Sequence, residues 1–128
     1  MVRGAVPPGI DVCDDARMRI VELHSLPIGQ SVESFGSVGF GLLGFVPEGR
    51  ISVARVDAGG RIGRHRAPVE QLFVLVTGQA EVSSGAATAT LTPGQAALFD
   101  VGEDHETTTR GGFTAVIVES AGVASIPW

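Results

Sequence analysis

Short apolar segments separated by turns run along most of the chain. Glycine- or proline-containing turn signals recur along the chain from Pro47 to Gly112. The segments between them are rich in valine, threonine, phenylalanine and isoleucine, and read ISVARV, QLFVLV, ATATLT, AALFDV and FTAVIVE. Each is shorter than an average α-helix of about 11 residues, whereas all are long enough for a strand. The pattern predicts an all-β sandwich or barrel.

The order of these segments predicts one domain over residues 1–128. Residues 1–17, with two prolines and three aspartates, are expected to form an N-terminal arm, and MRIVELHSL the first strand. The barrel is expected to span residues 18–119, followed by a C-terminal tail at 120–128. QLFVLV is apolar on both faces, so we expect one face to pack on a second sheet and the other on a partner subunit.

Composition narrows the classes of function. The net charge of −5 and the scattered arginines disfavour nucleic acid as a partner. No apolar run approaches the roughly 20 residues of a membrane helix, and prolines, glycine and aspartates interrupt any apolar signal core in residues 1–17, so a cytoplasmic location is expected. Cys13 is the only cysteine and is expected to be an inert thiol. Lysine, tyrosine and asparagine are absent, which leaves His24, His65 and His105 as the main candidates for chemistry.

GFGLLG, residues 39–44, fits a dinucleotide-binding pattern by its letters alone. That motif requires a preceding strand and a following helix within a βαβ unit, and this sequence indicates neither. Glycines in a bent strand explain the segment better, and no nucleotide cofactor is expected.

Alternation along strands predicts a polar cluster inside the barrel. His65, Ala67, Gln71, Phe73 and Leu75 share one parity, so a regular strand directs them to one face. Downstream, GQAALFDVGEDHETTT brings His105, Thr107 and Thr109 to one face in the same way. Two imidazoles and an amide oxygen suit a divalent metal ion.

These two segments resemble the two conserved motifs of the cupin superfamily. In the first motif, Gly-x5-His-x-His-x3,4-Glu-x6-Gly, the matching positions here are Gly59, His65, Ala67, Gln71 and Gly78. In the second, Gly-x5-Pro-x-Gly-x2-His-x3-Asn, they are Gly94, Asp100, Gly102, His105 and Thr109. The resemblance implies a double-stranded β-helix, or jelly-roll barrel, in a small protein that is commonly a dimer.

The resemblance also implies a metal centre, altered at two of its four ligand positions. Histidine is kept at 65 and 105, whereas glutamine stands at 71 and alanine at 67. The predicted metal ligands are therefore His65, Gln71 and His105, a neutral set that should hold a cation more weakly. His105 is also the candidate catalytic residue. Glu70 would replace Gln71 only if the strand bulged after Pro68.

Two interpretations remain open. One is an enzyme that uses a divalent metal, such as zinc, nickel, copper, iron or manganese, in a lyase, isomerase, cyclase or dioxygenase type of reaction. The other is a metal-free protein that binds a small molecule without catalysis. In either, the pocket is predicted to include Ala67, Phe73, Leu75, Phe99 and Thr107, with Val116 and an inward Arg55 as further members.

Overall fold

A computed structural model describes residues 18–27, 36, 38 and 41–128. Nine strands account for most of them, and no α-helix occurs among these residues. The strands are β1 (Arg19–Glu22), β2 (Arg50–Val56), β3 (Arg61–Arg66), β4 (Gln71–Gly78), β5 (Ala80–Ser84), β6 (Ala87–Leu91), β7 (Gln95–Phe99), β8 (Asp104–Thr108) and β9 (Phe113–Glu119). Two 3-10 helices, Leu23–Ser25 and Val123–Ser125, complete the list of elements.

The strands form two antiparallel sheets. One has five strands in the order β1-β7-β4-β9-β2, and the other has four in the order β3-β8-β5-β6. The alternating residues of each sheet meet in one apolar core that includes Phe73, Leu75, Val82, Leu91 and Phe99. The predicted all-β barrel of jelly-roll type is confirmed.

Two of the motif glycines stand where the backbone requires glycine. Gly78 has a φ of 87°, and a Cβ there would lie 2.2 Å from the carbonyl oxygen of Gly112. Gly94 has a φ of 95°, and its Cβ would lie 2.7 Å from His24 Nδ1. A side chain at position 78 would meet both backbone strain and a clash with the main chain, whereas one at position 94 would meet backbone strain and displace the exposed ring of His24.

The outer face of β4 is covered by the C-terminal residues 120–128. Leu72 and Val74 on that face pack in a second apolar cluster with Val123, Ile126 and Trp128. Part of the cover expected from a partner subunit thus comes from the chain itself. On the edge strand β2, which pairs with β9, Ile51 and Val53 are exposed, and the homodimer stays a prediction.

The predicted first strand is shorter than the pattern indicated. Strand β1 ends at Glu22, and the chain then turns into the 3-10 helix that contains His24. The N-terminal arm, including Cys13, and Gly39 and Phe40 of GFGLLG lie outside the described residues. None of the helices among the described residues has the length and hydropathy to span a membrane.

Candidate functional site

A cavity of about 180 Å³ lies between the two sheets, at the end where β2 and β4 begin and β9 ends. Both the five-stranded sheet and the four-stranded sheet contribute residues to its wall. The residues that line it are Arg50, Ser52, Ile62, His65, Gln71, Phe73, His105, Thr107, Ile117 and Glu119. The three predicted metal ligands are thus brought to one cavity, together with Phe73 and Thr107 of the predicted pocket.

The two histidines are direct neighbours on adjacent strands. His65 of β3 pairs with His105 of β8 in the antiparallel register, and their ring centroids are 4.4 Å apart. A register shift between Ile62 and His65 marks a β-bulge. Ile62 and His65 are three positions apart, so regular alternation would place their side chains on opposite faces of β3. The bulge instead directs both side chains toward the cavity. His65 lies at the exposed rim, whereas His105 is buried.

Hydrogen bonds to the main chain fix which ring nitrogen of each histidine carries hydrogen. Nδ1 of His65 lies 2.8 Å from the carbonyl oxygen of Gly63, and Nδ1 of His105 lies 3.0 Å from that of Glu103. A carbonyl oxygen only accepts, so each Nδ1 is the donor. In the neutral imidazoles the lone pair is therefore on Nε2. This is the tautomer that a histidine needs to bind a metal ion through Nε2.

The surroundings of His105 keep its imidazole neutral. Burial lowers the pKa of His105 below its ordinary value, and the nearby His65 lowers it further, although the hydrogen bond to Glu103 acts in the opposite direction. The ring of Phe99 stacks on the imidazole at a centroid distance of 4.1 Å and an interplanar angle of 13°. A neutral imidazole at neutral pH is available as a metal ligand or as a proton acceptor.

Opposite the histidines, three polar residues form one row across the five-stranded sheet. Glu119 of β9 is the register partner of both Arg50 and Gln71. One carboxylate oxygen of Glu119 accepts from Nε and Nη2 of Arg50 at 2.9 and 2.7 Å, and the other accepts from Nε2 of Gln71 at 3.1 Å. The amide of Gln71 is thereby oriented, with its oxygen left as an acceptor.

The other residues of the predicted pocket lie elsewhere. Ala67, Leu75 and Phe99 are buried in the core, where Phe99 supports His105 from behind. Arg55 does not line the cavity, because its exposed side chain pairs with Asp57 at 3.6 Å beside a separate surface depression. Val116 alternates with Ile117, and it is Ile117 that lines the cavity.

Sequence reasoning missed Arg50 and Glu119. The parity of β9 contained a signal: Phe113, Ala115, Ile117 and Glu119 share one face, and a face with that apolar content predicts burial of the carboxylate at its end. Once Glu119 is placed inside, a buried carboxylate calls for a cationic partner. Arg50, at the start of the antiparallel neighbour β2, satisfies that need.

The remaining charged candidates lie outside the cavity wall. Glu70 accepts hydrogen bonds from the main-chain nitrogens of Gly122 and Ala124 at 2.8 and 2.9 Å, which anchors the C-terminal 3-10 helix. Glu106 forms surface ion pairs with Arg61 and Arg64. Further surface contacts are those of Asp104 with Arg64 and of His24 with Glu22.

The donor set at the cavity can be compared with the needs of a metal ion. Among the residues that the structure describes, no group of three or more histidine, cysteine, aspartate or glutamate side chains is arranged to hold one. What is present is a pair of neighbouring imidazoles, each with its Nδ1 bound to a main-chain carbonyl oxygen, and the side-chain amide of Gln71. Such a set suits a divalent ion of the zinc, copper, iron or nickel type, with coordination positions left open.

Comparisons with known proteins bear on the fold and the family. A conserved protein of unknown function from Streptococcus pyogenes is 27% identical with a TM-score of 0.53, over 56% of this chain and 62% of that one. The DMSP lyase DddQ from Ruegeria pomeroyi DSS-3 is 25% identical with a TM-score of 0.52, over 57% of this chain and 38% of the lyase. A cupin superfamily protein from Desulfitobacterium hafniense DCB-2 has a TM-score of 0.55 at 14% identity, over 61% of this chain and 72% of that one.

The matched segment thus spans less than two thirds of the Streptococcus protein and of the lyase. No curated protein is similar to the chain at a significant level. The cupin domain model matches residues 44–120, which contain both sequence motifs and every residue of the cavity wall. The chain belongs to the cupin family.

Proposed function

We propose that this cupin binds a divalent metal ion through His65, His105 and Gln71 and acts there on a small molecule. The observation that carries the proposal is the fixed tautomer of both imidazoles, since their Nδ1 atoms donate to carbonyl oxygens at 2.8 and 3.0 Å. Two neighbouring imidazoles held in this tautomer at one cavity would form a preorganised part of a metal site. A divalent ion bound there would act as a Lewis acid that polarises an oxygen of the small molecule.

The rest of the wall supports binding of a compact molecule with polar groups. Phe73, Ile62 and Ile117 provide apolar surface, and Thr107 and Ser52 provide hydroxyl groups. A cavity of about 180 Å³ is below the usual range of roughly 300–1,000 Å³ for drug-sized ligands, so the molecule should be small. The lyase among the structural neighbours makes a lyase reaction the first type to test within the lyase, isomerase, cyclase or dioxygenase range.

A metal-free binding protein is the second candidate. It is favoured by the engagement of Glu119, whose two oxygens already accept from Arg50 and Gln71 and whose charge is paired with Arg50. In that case Nε2 of His105 and the amide oxygen of Gln71 would accept hydrogen bonds from the small molecule directly. Arg50 is the cation at this cavity, and it would favour an acidic group on such a ligand.

Metal content separates the two candidates. The protein should be purified without a histidine tag, analysed for elements, and titrated with Co²⁺ and Zn²⁺. The first candidate predicts about one ion per chain, lost in His105→Ala and in His65→Ala without unfolding. The matched control is His24→Ala, because His24 is the third histidine and is exposed on the surface away from the cavity.

Two results would contradict the proposal of a bound metal ion. One is a wild-type protein that contains only traces of metal and takes up neither ion. The other is a His105→Ala variant with the same metal content as His24→Ala. Either result would leave the metal-free binding protein as the better candidate.

A further inference from the structure

Glu103 is a buried acidic residue that the proposed function does not use. It lies in the turn between β7 and β8, and only 4% of its surface is exposed. A buried carboxylate is unfavourable unless hydrogen bonds replace its water. Here Oε2 accepts from the hydroxyl of Ser84 at 2.5 Å, and Oε1 accepts from the main-chain nitrogen of Asp100 at 2.9 Å. The side chain is thus anchored both to strand β5 and to its own turn.

The main chain of Glu103 makes the contacts that matter for His105. Its carbonyl oxygen accepts from Nδ1 of His105 at 3.0 Å and from the main-chain nitrogen of Ala67 at 3.0 Å. Ala67 in turn accepts from the main-chain nitrogen of Gly102 at 2.7 Å. One residue therefore links the ring of His105 to the turn before β8 and to the segment after β3.

The anchor on β5 stands next to the same histidine. Ser84 is the register partner of His105 on one side, as His65 is on the other. The hydrogen bond from the main-chain nitrogen of Asp100 to Glu103 Oε1 would be enough to close the turn. The second bond, to Ser84, ties the turn to the strand beside the imidazole.

We infer that Glu103 is a positioning residue that holds His105 in the Nδ1–H tautomer, with Ser84 as its anchor. The expected effect on metal affinity rests on the proposed function, since this is the tautomer in which Nε2 can bind a metal ion. Residues behind a metal ligand typically change metal affinity by about 10- to 100-fold when they are removed. We expect a loss of that size for Glu103→Ala.

The test compares three variants with the wild-type protein at pH 8. Nitrogen-15 spectra of the imidazoles report the tautomer of His105 without metal, and a Co²⁺ titration reports affinity. Glu103→Ala should show a mixture of tautomers and an approximately 10-fold or greater loss of affinity. Glu103→Gln keeps an acceptor for Asp100 and a hydrogen-bonding partner for Ser84, so it should restore the wild-type tautomer. Glu106→Ala is the matched control, because Glu106 lies on β8, directly after the turn that contains Glu103, and its carboxylate pairs with surface arginines.

A folded Glu103→Ala protein that keeps a single Nδ1–H tautomer and wild-type affinity would overturn the inference. If Glu103→Ala does not unfold cooperatively, the same spectra are recorded on Ser84→Ala, which removes one of the two anchoring bonds. There, a shift toward mixed tautomers supports the inference and an unchanged tautomer overturns it. If the wild-type protein takes up no Co²⁺, the proposed metal function fails, whereas the tautomer still decides the role of Glu103.

Discussion

Replacing Gln71 with glutamate tests the polar row that the sequence did not reveal. In the structure, Nε2 of Gln71 donates to Glu119 at 3.1 Å. The Gln71→Glu variant replaces this attraction with two carboxylates at nearly the same separation. Two unit charges about 4 Å apart repel by roughly 4 kcal/mol at an effective dielectric constant near 20. We therefore expect the variant to be less stable, even though a carboxylate at this position is what the family motif contains.

The expected loss is smaller than the bare repulsion. Glu119 keeps both bonds from Arg50, and the exposed Arg50 side chain lets water and salt screen the pair. Including the lost hydrogen bond, we expect the free energy of unfolding at pH 7 to fall by about 1–3 kcal/mol. Protonation of one carboxylate of the pair removes the repulsion, so the loss should shrink as the pH falls from 7 toward 4.

Urea denaturation at pH 7 and pH 5 measures this difference, followed by far-UV circular dichroism and by the fluorescence of the only tryptophan, Trp128. Gln71→Leu is the control that removes the hydrogen bond without adding charge. The reversed pair, Gln71→Glu with Glu119→Gln, restores one carboxylate and one amide and should recover most of the loss. A Gln71→Glu protein as stable as wild type at pH 7, or a reversed pair no more stable than Gln71→Glu alone, would refute the reasoning.

Three further predictions follow from other parts of the molecule. Burial lowers the pKa of His105 in the folded state, so as the pH falls the unfolded state takes up a proton at this histidine before the folded state does. The free energy of unfolding should therefore decrease as the pH falls below about 6.5. Urea denaturation from pH 8 to pH 5 should show this decrease in wild type and a shallower one in His105→Gln; equal slopes would contradict it. Gly78→Ala should cost more than about 3 kcal/mol, because its Cβ would lie 2.2 Å from the carbonyl oxygen of Gly112 in addition to the left-handed backbone strain. The control Gly59→Ala has positive φ but nothing within 4 Å of the new Cβ and should cost only about 1–2 kcal/mol; thermal melts that ranked the two equally would refute the steric argument. Finally, light scattering should give twice the 13.2 kDa chain mass if the predicted homodimer forms, and Val53→Glu on the exposed strand β2 should reduce it to that of one chain if this face is the interface. A wild-type protein with the mass of one chain would contradict the dimer.

Much of the fold could be predicted from the sequence because its signals are local. A turn that needs a positive φ selects glycine, and the residues with that backbone conformation include the motif glycines at 59, 78, 94 and 102. The apolar segments between these turns correspond to strands β2, β4, β6, β7 and β9. The spacing between turns limits the lengths of the strands, and so the two motifs predicted the jelly-roll barrel.

The wall of the site was harder to predict because it depends on strand register and on bulges. Arg50 and Arg55 are five residues apart and so point to opposite faces of β2. The alternation by itself does not say which face is inside, and β2 is an edge strand on which most residues are exposed. His65 depends on the bulge after Ile62, which nothing in the sequence marked except the glycine at position 63.

The glutamine at position 71 gains a physical explanation only when its neighbour is known. Taken alone, Gln71 indicates a metal site in which glutamine has replaced the carboxylate ligand. In the sheet, the carboxylate of Glu119 lies in the same row, 48 residues further along the chain, and is already paired with Arg50. A second carboxylate there would leave one negative charge unpaired in a partly buried row, whereas an amide donates to Glu119 and keeps an oxygen for the cavity. The departure at position 71 and the presence of Glu119 are therefore one feature of the site, and motif spacing cannot encode it because the two residues meet only through strand pairing.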